Sequence, residues 1–102
     1  MVTDIDSDKI DEILNSEGTW VIDFWGDWCD PCKKLAPKFE DVAKEVDTNF
    51  GKVDMGENSD IGTQFGVRAL PTLLIVKDGE EVARTSGNME KEELQEWIES
   101  NL

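Results

Sequence analysis

The chain has 102 residues, of which 38% are apolar and 8% aromatic, enough for one hydrophobic core but too few for two. Its 24 Asp and Glu stand against 10 Lys and Arg, with no His and a formal net charge of −14. That balance disfavours binding to a phosphate backbone, which needs clustered Lys and Arg; it suits a soluble, self-repelling surface, or steering toward a basic partner protein.

The N-terminal stretch M-V-T-D-I-D-S-D-K-I carries acids where a secretory signal would carry basic residues and an apolar run. No apolar stretch approaches the roughly 20 residues of a membrane helix, and the longest, Leu70 to Val76, is strand-sized and interrupted by Pro71. A cytoplasmic protein without membrane association is expected. In that compartment a close cysteine pair is catalytic or metal-binding more often than structural.

Met1 to Ile5 reads as a short edge strand. Asp6 or Ser7 can then cap a helix whose apolar face is Ile10, Ile13 and Leu14, ended by Gly18. Trp20 to Trp25 is a mostly apolar run that suits a buried central strand, interrupted only by Asp23. Leu35, Phe39, Val42 and Val46 form the stripe of an amphipathic helix, and Pro37 inside it predicts a kink. Phe50 to Met55 is a further strand, and Ile61 with Phe65 suggests a short helix ending at Gly66. Thr72 to Lys77 and Glu81 to Ser86 are strands joined by the hairpin signal Asp78-Gly79. The last helix places Leu94, Trp97, Ile98 and Leu102 on one face. The order β-α-β-α-β-α-β-β-α predicts a single α/β domain over residues 1–102. Its mixed sheet would have about four to five strands, with about four helices on its two faces.

The chemistry concentrates in W-C-D-P-C, Trp28 to Cys32, just beyond the carboxyl end of a central strand, where such sheets place their sites. Cys29 and Cys32 are the only two cysteines. A structural zinc site needs four ligands, and without His only carboxylates or a second chain could complete it. A purely structural disulfide would close a loop too short to constrain the unfolded chain much. A redox dithiol finds what it needs locally. Cys29 lies where the helix begins, and a helix N-terminus favours a thiolate. Pro31 suits the first turn. Cys32, one turn on, can reach back to resolve a mixed disulfide, and Lys33 and Lys34 add positive charge. Asp23 is the second informative residue. A carboxyl in a buried strand is costly unless paired or functional, and burial moves its pKa from about 3.9 toward neutrality, where proton transfer is useful. Lys52 in the next strand can offset its charge. The alternative is an Asp making a structural hydrogen bond at a frayed strand end.

The run V-I-D-F-W-G-D-W-C-D-P-C-K-K-L-A-P-K-F strongly resembles the active-site segment of the thioredoxin family. The resemblance continues through K-V-D-M (Lys52 to Met55), F-G-V-R-A-L-P-T-L-L-I-V-K-D-G-E (Phe65 to Glu80) and S-G-N (Ser86 to Asn88), nearly the whole chain. It implies the thioredoxin fold and a protein-disulfide reductase and electron carrier, re-reduced by a thioredoxin reductase and working as a monomer on disulfide-containing proteins. The redox centre would be the Cys29–Cys32 disulfide, with no other cofactor and no metal. Cys29 would be the exposed nucleophile and Cys32 the buried resolving thiol. Asp23 would assist proton transfer at Cys32, with Lys52 as its partner. Pro71 would be a cis-proline facing the cysteines and leaving the Leu70 backbone free to pair with an extended substrate. Trp28, Asp30, Pro31, Leu70, Pro71 and Gly87 would form the docking surface, with Trp25 packed beneath it. Pro37 matches the family's helix-kinking proline.

The sequence also departs from the family pattern. Asp30 replaces the usual glycine after the first cysteine, and Ala69 stands where glycine is common, narrowing the groove. Glu90 occupies the usual cap position of the last helix, so Asn88 is the expected cap. The first strand looks truncated. Two other readings stay open at this point: an oxidising or isomerising module of the same fold, and a non-catalytic interaction subunit.

Overall fold

A computed structural model describes residues 1–102. The elements in chain order are β1 (Val2–Asp4), α1 (Ser7–Leu14), β2 (Thr19–Trp25), α2 (Asp30–Glu45), β3 (Asn49–Asp54), α3 (Ser59–Gln64), β4 (Thr72–Lys77), β5 (Glu80–Ser86) and α4 (Lys91–Ser100). The five strands form one sheet in the order β1-β3-β2-β4-β5. β1 and β2 run parallel to β3, whereas β4 is antiparallel to both β2 and β5. This is the mixed sheet expected from a parallel half followed by a hairpin.

β2 is central because its apolar run can be covered on both faces: Val21, Ile22 and Phe24 are fully buried. Alternation along the strands splits the core in two. Val21, Phe50, Leu73 and Ile75 meet α2 and α4 through Phe39, Val42, Leu94 and Ile98. Ile22, Phe24, Val53 and Leu74 meet α1 and α3 through Ile10, Ile13 and Ile61. Each face holds an edge-to-face aromatic pair, Phe39 with Phe50 at 5.5 Å and Phe24 with Phe65 at 6.0 Å between centroids. Burying one such large side chain is worth about 1.5–3 kcal/mol. Asp23 lies on the α2 side of this central strand, two residues beyond Val21.

The hairpin turn at Asp78-Gly79 has positive φ at both residues, 52° and 84°, the type that matches strand twist. A Cβ on Gly79 would run into the Leu14 carbonyl, so the turn docks against the end of α1 as only glycine allows. β4 and β5 slip register between Ile75 and Val76, leaving Val82 as an exposed bulge residue. α2 continues through Pro37.

Two expectations at α4 are corrected. Glu90, and not Asn88, is the N-cap: its N–H donates to Glu93 Oε1 at 3.4 Å, while Asn88 Oδ1 instead accepts from Lys38 Nζ at 3.1 Å. Leu102 leaves the apolar face, because the helix stops at Ser100 and Leu102 is exposed beyond it. No helix is long and apolar enough to cross a membrane.

Candidate active site

β2 delivers the chain to Trp25, and a tight loop turns it into α2. The Cys29 N–H donates to the Gly26 carbonyl at 3.2 Å, and the Lys33 N–H to the Cys29 carbonyl at 3.2 Å. A Cβ on Gly26 would come within 2.6 Å of the Trp28 indole, so glycine there lets the ring lie back across the loop. Trp28 stays 62% exposed, a large apolar surface kept in water beside the sulfurs.

Cys29 is the N-cap of α2. Its backbone is extended and its Sγ accepts from the Cys32 N–H at 3.2 Å, a place usually held by Ser, Thr, Asp or Asn. The sulfur therefore has a first-turn N–H donor and the positive end of the helix dipole beside it, which favours a thiolate once the bond is reduced. Cys29 and Cys32 are joined in a disulfide, with Cα atoms 5.3 Å apart. The expectation of an exposed Cys29 is corrected in this oxidised state. Its exposure is only 8%, against 2% for Cys32, because it lies in a groove with Trp28, Met55, Val67 and Leu70 around it.

Asp30 and Pro31 occupy the exposed first turn of α2, and Asp30 Oδ1 lies 3.9 Å from Lys33 Nζ. Lys33 thus offsets part of the charge that Asp30 adds beside the sulfurs.

Asp23 is 4% exposed, and its Oδ1 has no hydrogen-bond partner. Burial pushes its pKa up from 3.8 to about 7, with the Lys52 ammonium pulling the other way. Asp23, Cys32, Lys33, Glu40 and Lys52 line one cleft of about 160 Å³ under α2, with Trp25 in its wall. Lys52 is in register with Asp23 across β2 and β3, but its ion-pair contact, at 3.8 Å, is with Asp4. It therefore acts on Asp23 through space. Its ammonium also lies 5.8 Å from the centre of the Trp25 ring.

The Leu70–Pro71 bond is cis, as the resemblance implied. Leu70 lines the groove with Trp28 and Cys29, and Pro71 behind it is buried. The Pro71 carbonyl accepts from the Gly87 N–H at 2.9 Å, so Gly87 adjoins the cis-proline. Gly87 has φ 92°, and a Cβ there would meet open space. Ala69 is exposed between Arg68 and Leu70, which both line the groove. Sequence reasoning missed four lining residues, Met55, Ser59, Val67 and Arg68. Met55 follows the carboxyl end of β3, next to β2, and that position was the signal available.

A capped, helix-end disulfide above a buried carboxyl, on a mixed five-stranded sheet, defines a dithiol–disulfide exchange protein. Comparison with known proteins agrees. The Thioredoxin family model matches residues 2–100. The chain is 42% identical over 89 residues to a thioredoxin of Bacillus subtilis, covering 85% of this chain and 86% of that one. It is 34% identical over 94 residues to a thioredoxin of Rickettsia bellii, covering 90% of each. A mutant thioredoxin from Halobacterium salinarum superposes with a TM-score of 0.88 at 32% identity, over 97% of this chain and 88% of the other. A thioredoxin from Malassezia sympodialis gives a TM-score of 0.88 at 33% identity, over 99% and 90%. The chain belongs to the thioredoxin family. It is accordingly a thiol–disulfide oxidoreductase, a protein-disulfide reductase and redox carrier that works through its redox-active disulfide without a prosthetic group.

Proposed function

We propose that reduced Cys29 attacks a substrate disulfide, that Cys32 resolves the product, and that Asp23 handles the proton of Cys32. The Cys29 thiolate forms a bond to one substrate sulfur, and the other leaves as a thiol after taking a proton. Asp23 then accepts the Cys32 proton, and the Cys32 thiolate attacks Cys29 Sγ. The second substrate sulfur leaves as a thiol after taking a proton, Asp23 gives its proton back to solvent, and the Cys29–Cys32 disulfide returns. Two electrons pass from the dithiol to the substrate. The observation that carries this is the shared cleft: Cys32 and Asp23 line one small space that Asp23 enters without a hydrogen-bond partner. A carboxyl with a pKa of about 7 has both protonation states available at neutral pH, as a proton carrier needs.

Substrates dock on the apolar groove of Trp28, Met55, Val67 and Leu70 beside Cys29, with Asp30 and Pro31 exposed in the following turn of α2. No backbone hydrogen bond within the chain uses Leu70, which leaves its N–H and C=O for an extended substrate strand. A thioredoxin reductase restores the dithiol, in a reducing compartment such as the cytoplasm.

The test is single-turnover reduction of a protein disulfide across pH. Cys29→Ser should abolish attack, and Cys32→Ser should accumulate the mixed disulfide. Asp23→Asn should slow resolution by about 10-fold to 100-fold at neutral pH. A reduction potential near about −270 mV supports the reductant, whereas one near about −180 mV would move the reading to an oxidising or isomerising catalyst.

A further inference from the structure

Lys52 and Trp25 form the partition between two spaces. On the α2 side they line the cleft that holds Asp23, Cys32, Lys33 and Glu40. On the other side they line a hollow of about 410 Å³ that holds Asp4, Asp6, Asp54 and Glu57. Strand register places Asp4, Lys52 and Asp23 in one row across β1, β3 and β2. One ammonium therefore has a carboxyl on each side. The row continues to Leu73 on β4, which brings no charge to Asp23.

Among the outer acids only Asp4 reaches Lys52, at 3.8 Å. Asp6 Oδ1 accepts from the Lys9 N–H at 2.9 Å, and Asp54 Oδ1 from the Gly56 N–H at 2.8 Å, so both are otherwise engaged. The lysine's direct contact is thus with an exposed carboxylate, and the buried Asp23 receives only what remains.

We propose that Asp4 is a positioning residue for the exchange reaction: it holds the Lys52 ammonium toward the edge strand β1 and withholds part of that charge from Asp23. The inference rests on the reading of Asp23 as the proton carrier of Cys32. An ammonium released toward Asp23 favours its carboxylate and lowers its titration midpoint. Lys33 and Glu40, the other charged groups facing the cleft from α2, keep their places when Asp4 changes. Asp4 itself lies two strands from Asp23, roughly 10 Å at ordinary strand spacing, about one Debye length. Its effect therefore passes mainly through Lys52. Its side chain is 89% exposed, so the ion pair contributes little to stability and the residue can be changed without unfolding the chain.

The experiment follows the Asp23 carboxyl carbon by NMR through a pH titration of the oxidised protein. Asp4→Asn should lower the midpoint by about half a pH unit, and Asp4→Glu should restore it. Lys52→Met should raise the midpoint, and adding Asp4→Asn to that variant should shift it by no more than about a tenth of a unit. A midpoint unmoved by Asp4→Asn, or moved equally with and without Lys52, overturns the proposal. The pH profile of mixed-disulfide resolution separates this from the parent reading. If Asp23→Asn leaves that profile unchanged, Asp23 is not the proton carrier, whatever the titration of Asp4→Asn shows.

Discussion

Asp23 shapes stability as well as chemistry. Its folded pKa of about 7 lies above the unfolded value of 3.8, so between them the folded state binds a proton that the unfolded state has lost. Stability then falls as pH rises through that window, by about 1.4 kcal/mol per unit and on the order of 4 kcal/mol in all. Asp23→Asn stays neutral throughout. Denaturant melts should find it more stable than the parent above about pH 7, by on the order of 4 kcal/mol, and nearly equal near about pH 4. A parallel pair of pH curves would show that Asp23 does not titrate in the folded chain. Asp30 works on a smaller scale, because it is exposed and Lys33 lies 3.9 Å away. Its carboxylate still disfavours a second negative charge at Cys29. Asp30→Gly should lower the Cys29 thiol pKa by about a few tenths of a unit, with a slightly less reducing potential. Thiolate absorbance against pH reads the first change, and an unchanged titration would remove Asp30 from any role in tuning the sulfur.

At the scale of elements, the hairpin between β4 and β5 does more than reverse the chain. Asp78 Oδ1 accepts from the Gly18 N–H and the Asp78 N–H donates to the Gly18 carbonyl, both at 2.9 Å, tying the turn to the start of β2. Asp78→Ala should cost about 1–2 kcal/mol, through the lost acceptor and because Ala tolerates the positive φ less well than Asp. Gly79→Ala should cost about 1–3 kcal/mol, since it adds a positive-φ penalty to a clash with the Leu14 carbonyl. Urea midpoints would rank the two, and a neutral Gly79→Ala would mean that the turn can move off α1. The D-G signal for this turn was legible in the sequence, as were the strands, whose apolar runs and Gly or Pro boundaries are local. So was the C-D-P-C helix start. What was not legible depends on contacts between distant segments. Glu90, and not Asn88, caps α4 because the helix begins at Lys91, and the Asn88 side chain is taken by Lys38 from α2. The pairing of Lys52 with Asp4 depends on the parallel register of β1 on β3, which no local pattern specifies. The groove lining at Ser59 and Arg68 comes from segments that meet only once the sheet is complete.

For the whole molecule, the net charge of −14 acts over distances set by salt rather than by contact. Exposed Asp8, Asp11, Glu92, Glu96 and Glu99 stand on α1 and α4, while the active-site groove is lined by one charged side chain, Arg68. Arg68 is therefore a local positive charge at the groove within a negative far field, to which Asp30, partly offset by Lys33, also contributes. At low salt the far field governs encounter, so a basic disulfide substrate should be reduced faster than an acidic one of the same length. Screening removes that advantage while leaving a contact with Arg68 largely intact. Raising salt from about 0.02 M to about 0.2 M should lower kcat/KM for the basic substrate by on the order of 10-fold and raise it for the acidic one. Arg68→Ala should weaken reduction of the acidic substrate by a factor that persists at the higher salt, because that contact is short-ranged. Equal salt slopes for the two substrates would show that the acidic surface does not steer, and would leave its self-repulsion as its only physical consequence.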